Sequence, residues 1–101
     1  MYAMTGKLTA QPGKGGQLSD ILIRASKMVS GMQGCRAYIV LEDVKDEDDV
    51  WVFEMWDDKE SHDASLRDEN VRALIGEAMP ILAGAPDGAE LRVLGGHGLS
   101  Q

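Results

Sequence analysis

The first apolar pattern has a period of two. Tyr2, Met4, Gly6, Leu8 and Ala10 share one face of residues 2–10, and Ala3, Thr5, Lys7 and Thr9 share the other. That alternation predicts a strand. The run Gln11-Pro12-Gly13-Lys14-Gly15-Gly16 ends it, because Pro and Gly punctuate regular elements. From Gln17 the period changes. Leu18, Ile21, Leu22, Ala25, Met28 and Val29 fall on one helical stripe, and Gly31 suits the stop. Residues 35–43 alternate again, with Cys35, Ala37, Ile39 and Leu41 against Arg36, Tyr38, Val40 and Glu42. A polar hairpin at 43–49 leads to Val50-Trp51-Val52-Phe53-Glu54-Met55-Trp56, the strongest strand signal in the chain. Asp57, with Glu60 three residues on, reads as a capping box for a helix over about 59–66. A further helix begins near Glu69, carries Val71, Leu74, Ile75, Ala78 and Leu82, and is broken by Pro80. After the turn at 84–88, residues 89–94 form a last strand, and about 95–101 form a loose tail.

The order strand–helix–strand–strand–helix–strand predicts an α+β fold. It is the ferredoxin-like split βαβ arrangement, a four-stranded antiparallel sheet with helices on one face, occupying residues 1–101 as one domain. The strand at 50–56 breaks the rule for a sheet covered on one side, which is that apolar and polar residues alternate. Val50, Val52 and Trp56 are apolar on one face, and Trp51, Phe53 and Met55 are apolar on the other. Exposed apolar patches of that kind mark interfaces. No element of the chain is left over to cover the second face, so a homodimer joined through Trp51, Phe53 and Met55 is expected.

Composition narrows the partners. With 17 acidic against 10 basic residues the net charge is −7, which opposes nucleic acid and anionic membranes as partners. No apolar run approaches the ~20 residues of a spanning helix. Cys35 is the only cysteine, so no internal disulfide forms. The N-terminus lacks the basic-then-apolar order of a signal peptide, and a cytoplasmic location is expected.

Most candidate chemistry fails on spacing. Counting Asp46 as the first ligand of a calcium loop puts Val50 and Trp51 where an oxygen ligand and a Gly are required. His62 and His97 have no metal-ligand spacing with Cys35, so no metal and no cofactor are expected. Gly13-Lys14-Gly15-Gly16 lacks the phosphate-loop spacing. Cys35 reads as packing rather than as a nucleophile. What remains is Glu54-Met55-Trp56-Asp57-Asp58-Lys59-Glu60-Ser61-His62. Glu54 and Trp56 are two apart and share a face, and His62 lies on the helix that folds back over the sheet. Glu54, Trp56 and His62 can therefore line one pocket. Equally, they can be a strand-pairing carboxylate, a core aromatic and a surface histidine.

These same residues resemble the antibiotic biosynthesis monooxygenase (ABM) family, whose members show a strand ending in Glu-x-Trp followed by a short helix with a Glu-Ala-His-like segment. The resemblance implies a dimeric α/β-barrel. It also implies cofactor-independent oxidation of a quinol-like or polyphenolic aromatic by dioxygen, with Glu54, Trp56 and His62 as catalytic residues. Ser65 stands where many members carry a second histidine, and Val52 where some quinol-oxidising members carry Asn. The haem-degrading branch has an Asn in the first strand, where this chain has Thr5, Gly6 and Lys7, and a His where this chain has Leu66. On the monooxygenase reading, His62 is the base for the substrate hydroxyl, Trp56 walls in the aromatic ring, and Glu54 orients a hydroxyl, a water or the histidine. Two alternatives stay open at this point: a non-catalytic dimeric domain binding a small ligand, and a ferredoxin-like isomerase of a small ring compound.

Overall fold

The computed structural model describes residues 1–98 of the chain. Four strands, β1 (Tyr2–Thr9), β2 (Cys35–Glu42), β3 (Asp49–Trp56) and β4 (Asp87–Arg92), form one antiparallel sheet in the order β2-β3-β1-β4. Helices α1 (Gly15–Val29), α2 (Lys59–Ser65) and α3 (Glu69–Ala78) complete the split βαβ order. The α+β fold read from the sequence is the observed one.

Alternation sets the two faces. Register places Gly6 opposite Val52 and Leu8 opposite Val50, all on the helix side. There Val50, Val52, Leu18, Ile21, Leu22 and Leu74 form the main core, while Trp56 packs with Val29 and Val71 in a second cluster. Trp56, Leu18 and Val50 are the largest side chains completely removed from solvent. Burying an apolar side chain of this size is worth roughly 1.5–3 kcal/mol, so the helix face anchors the fold.

The opposite face is open. Ile39, Leu41 and Leu91 are each nearly half exposed, and Trp51 and Phe53 are half-buried beside them. Met55 departs from the expectation for this face, because it is already buried within the single chain. Its cross-strand neighbours on both sides are the small residues Ala3 and Ala37. The apolar patch therefore centres on Trp51, Phe53, Ile39, Leu41 and Leu91.

Three local expectations are corrected. A bulge between Cys35 and Ala37 makes Arg36 the extra residue of β2, so Cys35 joins Trp56 on the helix side instead of sharing the open face with Ile39. The N-cap of α2 is Asp58, not Asp57: its Oδ1 accepts from the Ser61 N–H at 2.8 Å. Asp57 instead accepts from Arg36 Nε at 2.6 Å, tying the bulge to the end of β3. β4 starts two residues earlier than predicted and ends before Leu94.

Other features match their sequence signals. Pro80 turns the end of α3 into a 3₁₀ turn at Met79–Ile81. α1 starts at Gly15, where a Cβ would collide with the backbone of Glu47. The backbone N–H groups of Gly13 and Gly15 donate to Asp48 at 3.1 and 3.0 Å, so the acidic hairpin holds the glycine loop. Of the expected tail, 95–98 lie outside any strand or helix, and 99–101 lie outside the described residues. Among the described residues, no helix is long and apolar enough to cross a membrane.

Candidate functional site

A cavity of about 450 Å³ opens between the sheet and helices α1 and α3. Met4, Leu8, Leu22, Ala25, Val52 and Leu74 give it apolar walls. Glu54 is the only carboxylate among the described lining residues, which include no basic side chain. Gly6, in the middle of β1, lines the cavity without placing a side chain in it. This volume suits a small multi-ring organic molecule.

The sequence-predicted trio is brought together, but in two layers. Glu54 lines the cavity, whereas Trp56 and His62 stand behind it and are not among the lining residues. The indole Nε1–H of Trp56 donates to Glu54 Oε1 at 3.0 Å. On the far side, His62 Nε2 stands 4.0 Å from the same oxygen, with its ring edge-on to Trp56 at a centroid distance of 6.0 Å. His62 is only 7% exposed, so it is not the surface histidine of the alternative reading. Its Nδ1 lies 3.0 Å from Asp63 Oδ1, and Tyr2 packs obliquely on its ring at 5.4 Å. The local folding reason is short-range. β3 aims Glu54 and Trp56 at the helices, Asp57 turns the chain, and the capped first turn of α2 returns His62 over them.

Burial sets the electrostatics of Glu54. Burial raises its carboxyl above the ordinary value of 4.5, outweighing the Trp56 hydrogen bond and the nearby His62, both of which lower it. A carboxylate poised in this way is a stronger proton acceptor than a solvated one.

Sequence reasoning missed Tyr38. It lies directly across from Glu54 in the β2–β3 register and lines the same cavity. Burial, with a further contribution from Glu54, pushes its hydroxyl well above the usual tyrosine range, so it stays a neutral donor at working pH. Its signal was present as alternation, since Tyr38 and Val40 share a face. The pairing with Glu54 follows the regular register from the hairpin, but whether Tyr38 lines the cavity depends on α1 and α3, which lie far from it along the chain. Among the described residues, no three His, Cys, Asp or Glu side chains are grouped to hold a metal ion.

The fold matches known proteins. A crystal structure from Chloroflexus aurantiacus J-10-fl, named for the antibiotic biosynthesis monooxygenases, is 38% identical over 98% of both chains, with a TM-score of 0.87. Proteins of the same name from Nitrosomonas europaea and Deinococcus radiodurans share the fold at 12% and 18% identity. Their TM-scores are 0.88 and 0.84; they cover 93% and 100% of this chain, which in turn covers 99% and 100% of theirs. No curated protein matches the chain. The family model for antibiotic biosynthesis monooxygenase matches residues 1–77, and this chain belongs to that family, with the general monooxygenase-like function the family carries.

Proposed function

We propose that the protein is a cytoplasmic, homodimeric monooxygenase that oxidises a phenolic or quinol-like aromatic with dioxygen, without metal or organic cofactor. The observation that carries this reading is a single poised carboxylate, Glu54, in an otherwise apolar cavity of aromatic size. Glu54, not His62, is the base that meets the substrate, because it alone of the trio lines the cavity. Trp56 holds it from behind by a hydrogen bond, with His62 standing beside the same oxygen. Tyr38 is placed to donate a hydrogen bond to a substrate oxygen.

The reaction needs no outside reductant if the ring carbon para to the hydroxyl carries hydrogen. Glu54 takes the hydroxyl proton, and the electron-rich anion then reduces dioxygen. One oxygen atom stays on the para carbon, the other leaves as water, and the phenol becomes a quinone. All four electrons come from the substrate. The apolar walls keep water away from the oxygenated intermediate. The open sheet face, with Trp51, Phe53, Ile39, Leu41 and Leu91, is the surface that supports the homodimer.

The test is dioxygen consumption by metal-stripped protein given 1-naphthol, against the autoxidation rate. Glu54→Gln should lower turnover by roughly 10²–10⁴-fold, the worth of a positioned base. Saturable binding with no oxygen uptake would instead establish a binding module, and ring rearrangement without uptake an isomerase.

A further inference from the structure

Behind Glu54 the structure continues outward through groups that the proposed reaction has not yet used. His62 is enclosed by Glu54 on the cavity side and Asp63 on the solvent side, at 4.0 and 3.0 Å. Tyr2 covers its ring. Lys59 stands 4.0 Å from Asp63 and donates to Glu90 at 2.9 Å, and the Tyr2 hydroxyl donates to the same Glu90 at 3.1 Å. These are the charged and titratable groups around the imidazole from α2, β1, β3 and β4. Two of them are carboxylates, Glu54 nearest Nε2 and Asp63 nearest Nδ1.

A buried imidazole between two carboxylates is a place to hold a proton. With Asp63 accepting from Nδ1–H, the neutral ring keeps the Nε2 lone pair towards Glu54. The 4.0 Å gap to Glu54 is about 1 Å beyond hydrogen-bond reach. Catalytic hydrogen bonds are often long in empty sites and tighten when substrate binds.

The stoichiometry of the proposed oxidation also calls for storage. No proton is released overall: water takes one from the hydroxyl and one from the para carbon. The hydroxyl proton leaves before oxygen adds, so a group that keeps it close has it ready when the reduced oxygen needs it.

We propose that Glu54, His62 and Asp63 form a proton reservoir behind the cavity, with Asp63 as the residue that positions it; this rests on the monooxygenase reading. The substrate O–H bond breaks and its proton passes through Glu54 to His62 Nε2, giving an imidazolium between two carboxylates. After dioxygen has added to the para carbon, the proton returns through Glu54 to form a ring-bound hydroperoxide. The O–O bond then breaks, the para C–H proton is lost to the departing hydroxide, and quinone and water remain. His62 ends as it began, with its proton on Nδ1.

The test pairs a spectroscopic and a kinetic readout on parent and Asp63→Ala. Asp63 is half exposed, so its loss leaves no core void. In ¹⁵N spectra of histidine-labelled protein, neutral His62 of the parent should carry its proton on Nδ1, and Asp63→Ala should shift it towards Nε2. With 1-naphthol, kcat of Asp63→Ala should fall roughly 10–100-fold, short of the 10²–10⁴ for loss of a base itself, while KM stays within about twofold. A parent His62 protonated on Nε2 overturns the reservoir, as does Asp63→Ala with unchanged kcat. If 1-naphthol and other phenols drive no oxygen uptake at all, the monooxygenase reading fails, and the tautomer measurement still decides the Asp63–His62 arrangement by itself.

Discussion

Replacing Trp56 by Phe removes the one hydrogen bond that the Glu54 carboxylate accepts among the described residues. It also leaves a void in the second core cluster, since Trp56 is wholly buried against Val29 and Val71. A double-mutant cycle with Glu54→Gln separates the two effects, because the void is present in both arms and cancels. A hydrogen bond to a charged group is worth about 1.5–3 kcal/mol and one to a neutral group about 0.5–1.5. Gln keeps a neutral acceptor for the indole, so the coupling between the two substitutions should be about 1–1.5 kcal/mol while Glu54 is ionised. Glu54 is 13% exposed at its side chain, so solvent screening takes little from this figure. The assay is urea unfolding at fixed protein concentration at pH 8 and again at pH 4, with Trp51 as the fluorescence reporter. The coupling should be present at pH 8 and small at pH 4, where the carboxyl is protonated. A coupling below about 0.5 kcal/mol at pH 8, or an equal one at both pH values, refutes the claim that Trp56 stabilises the carboxylate.

Stability should also carry the Glu54 signature. Its folded value is raised above the ordinary 4.5, so the folded state binds the proton more tightly. The associated stability is present below about pH 4.5 and is lost as pH rises through the folded value. Thermal unfolding should therefore show Glu54→Gln gaining on the parent between pH 4.5 and pH 8; a constant difference contradicts the burial argument. Phe53→Glu places a charge in the centre of the open sheet face and should turn the proposed dimer into monomer at micromolar concentration, read by sedimentation. A parent that sediments as a monomer at high concentration removes the interface. Gly15→Ala drives a Cβ into the Glu47 backbone and should cost about 1–3 kcal/mol in urea unfolding; a neutral effect shows that the α1 start and the acidic hairpin are not in tight contact.

Periodicity carried most of the fold. The strong alternation of β3 and the stripe Leu18–Ile21–Leu22 fixed which faces meet, and both appear as the main core. What alternation does not carry is a register change. The bulge at Arg36 moved Cys35 to the other face, because one inserted residue inverts every side chain before it. Adjacent aspartates also look alike as caps. Asp58, not Asp57, caps α2, since Arg36 takes Asp57. The site was half legible. Glu54, Trp56 and His62 sit close in sequence, so their proximity followed from one strand, one turn and one helix. Their layering did not, because whether a side chain lines a cavity or backs it depends on α1 and α3, which lie far away along the chain. Tyr38 was hidden for the same reason, and Asp63 because an exposed helical carboxylate looks like any other.

The most direct test of the account is to trace the oxygen atoms. Metal-stripped protein is given 1-naphthol under ¹⁸O₂, and the products are read by mass spectrometry. The account predicts 1,4-naphthoquinone carrying one labelled oxygen and an equal amount of labelled water, formed faster than by autoxidation. Quinone made no faster than in buffer, or enzymatic quinone with its new oxygen unlabelled, contradicts it.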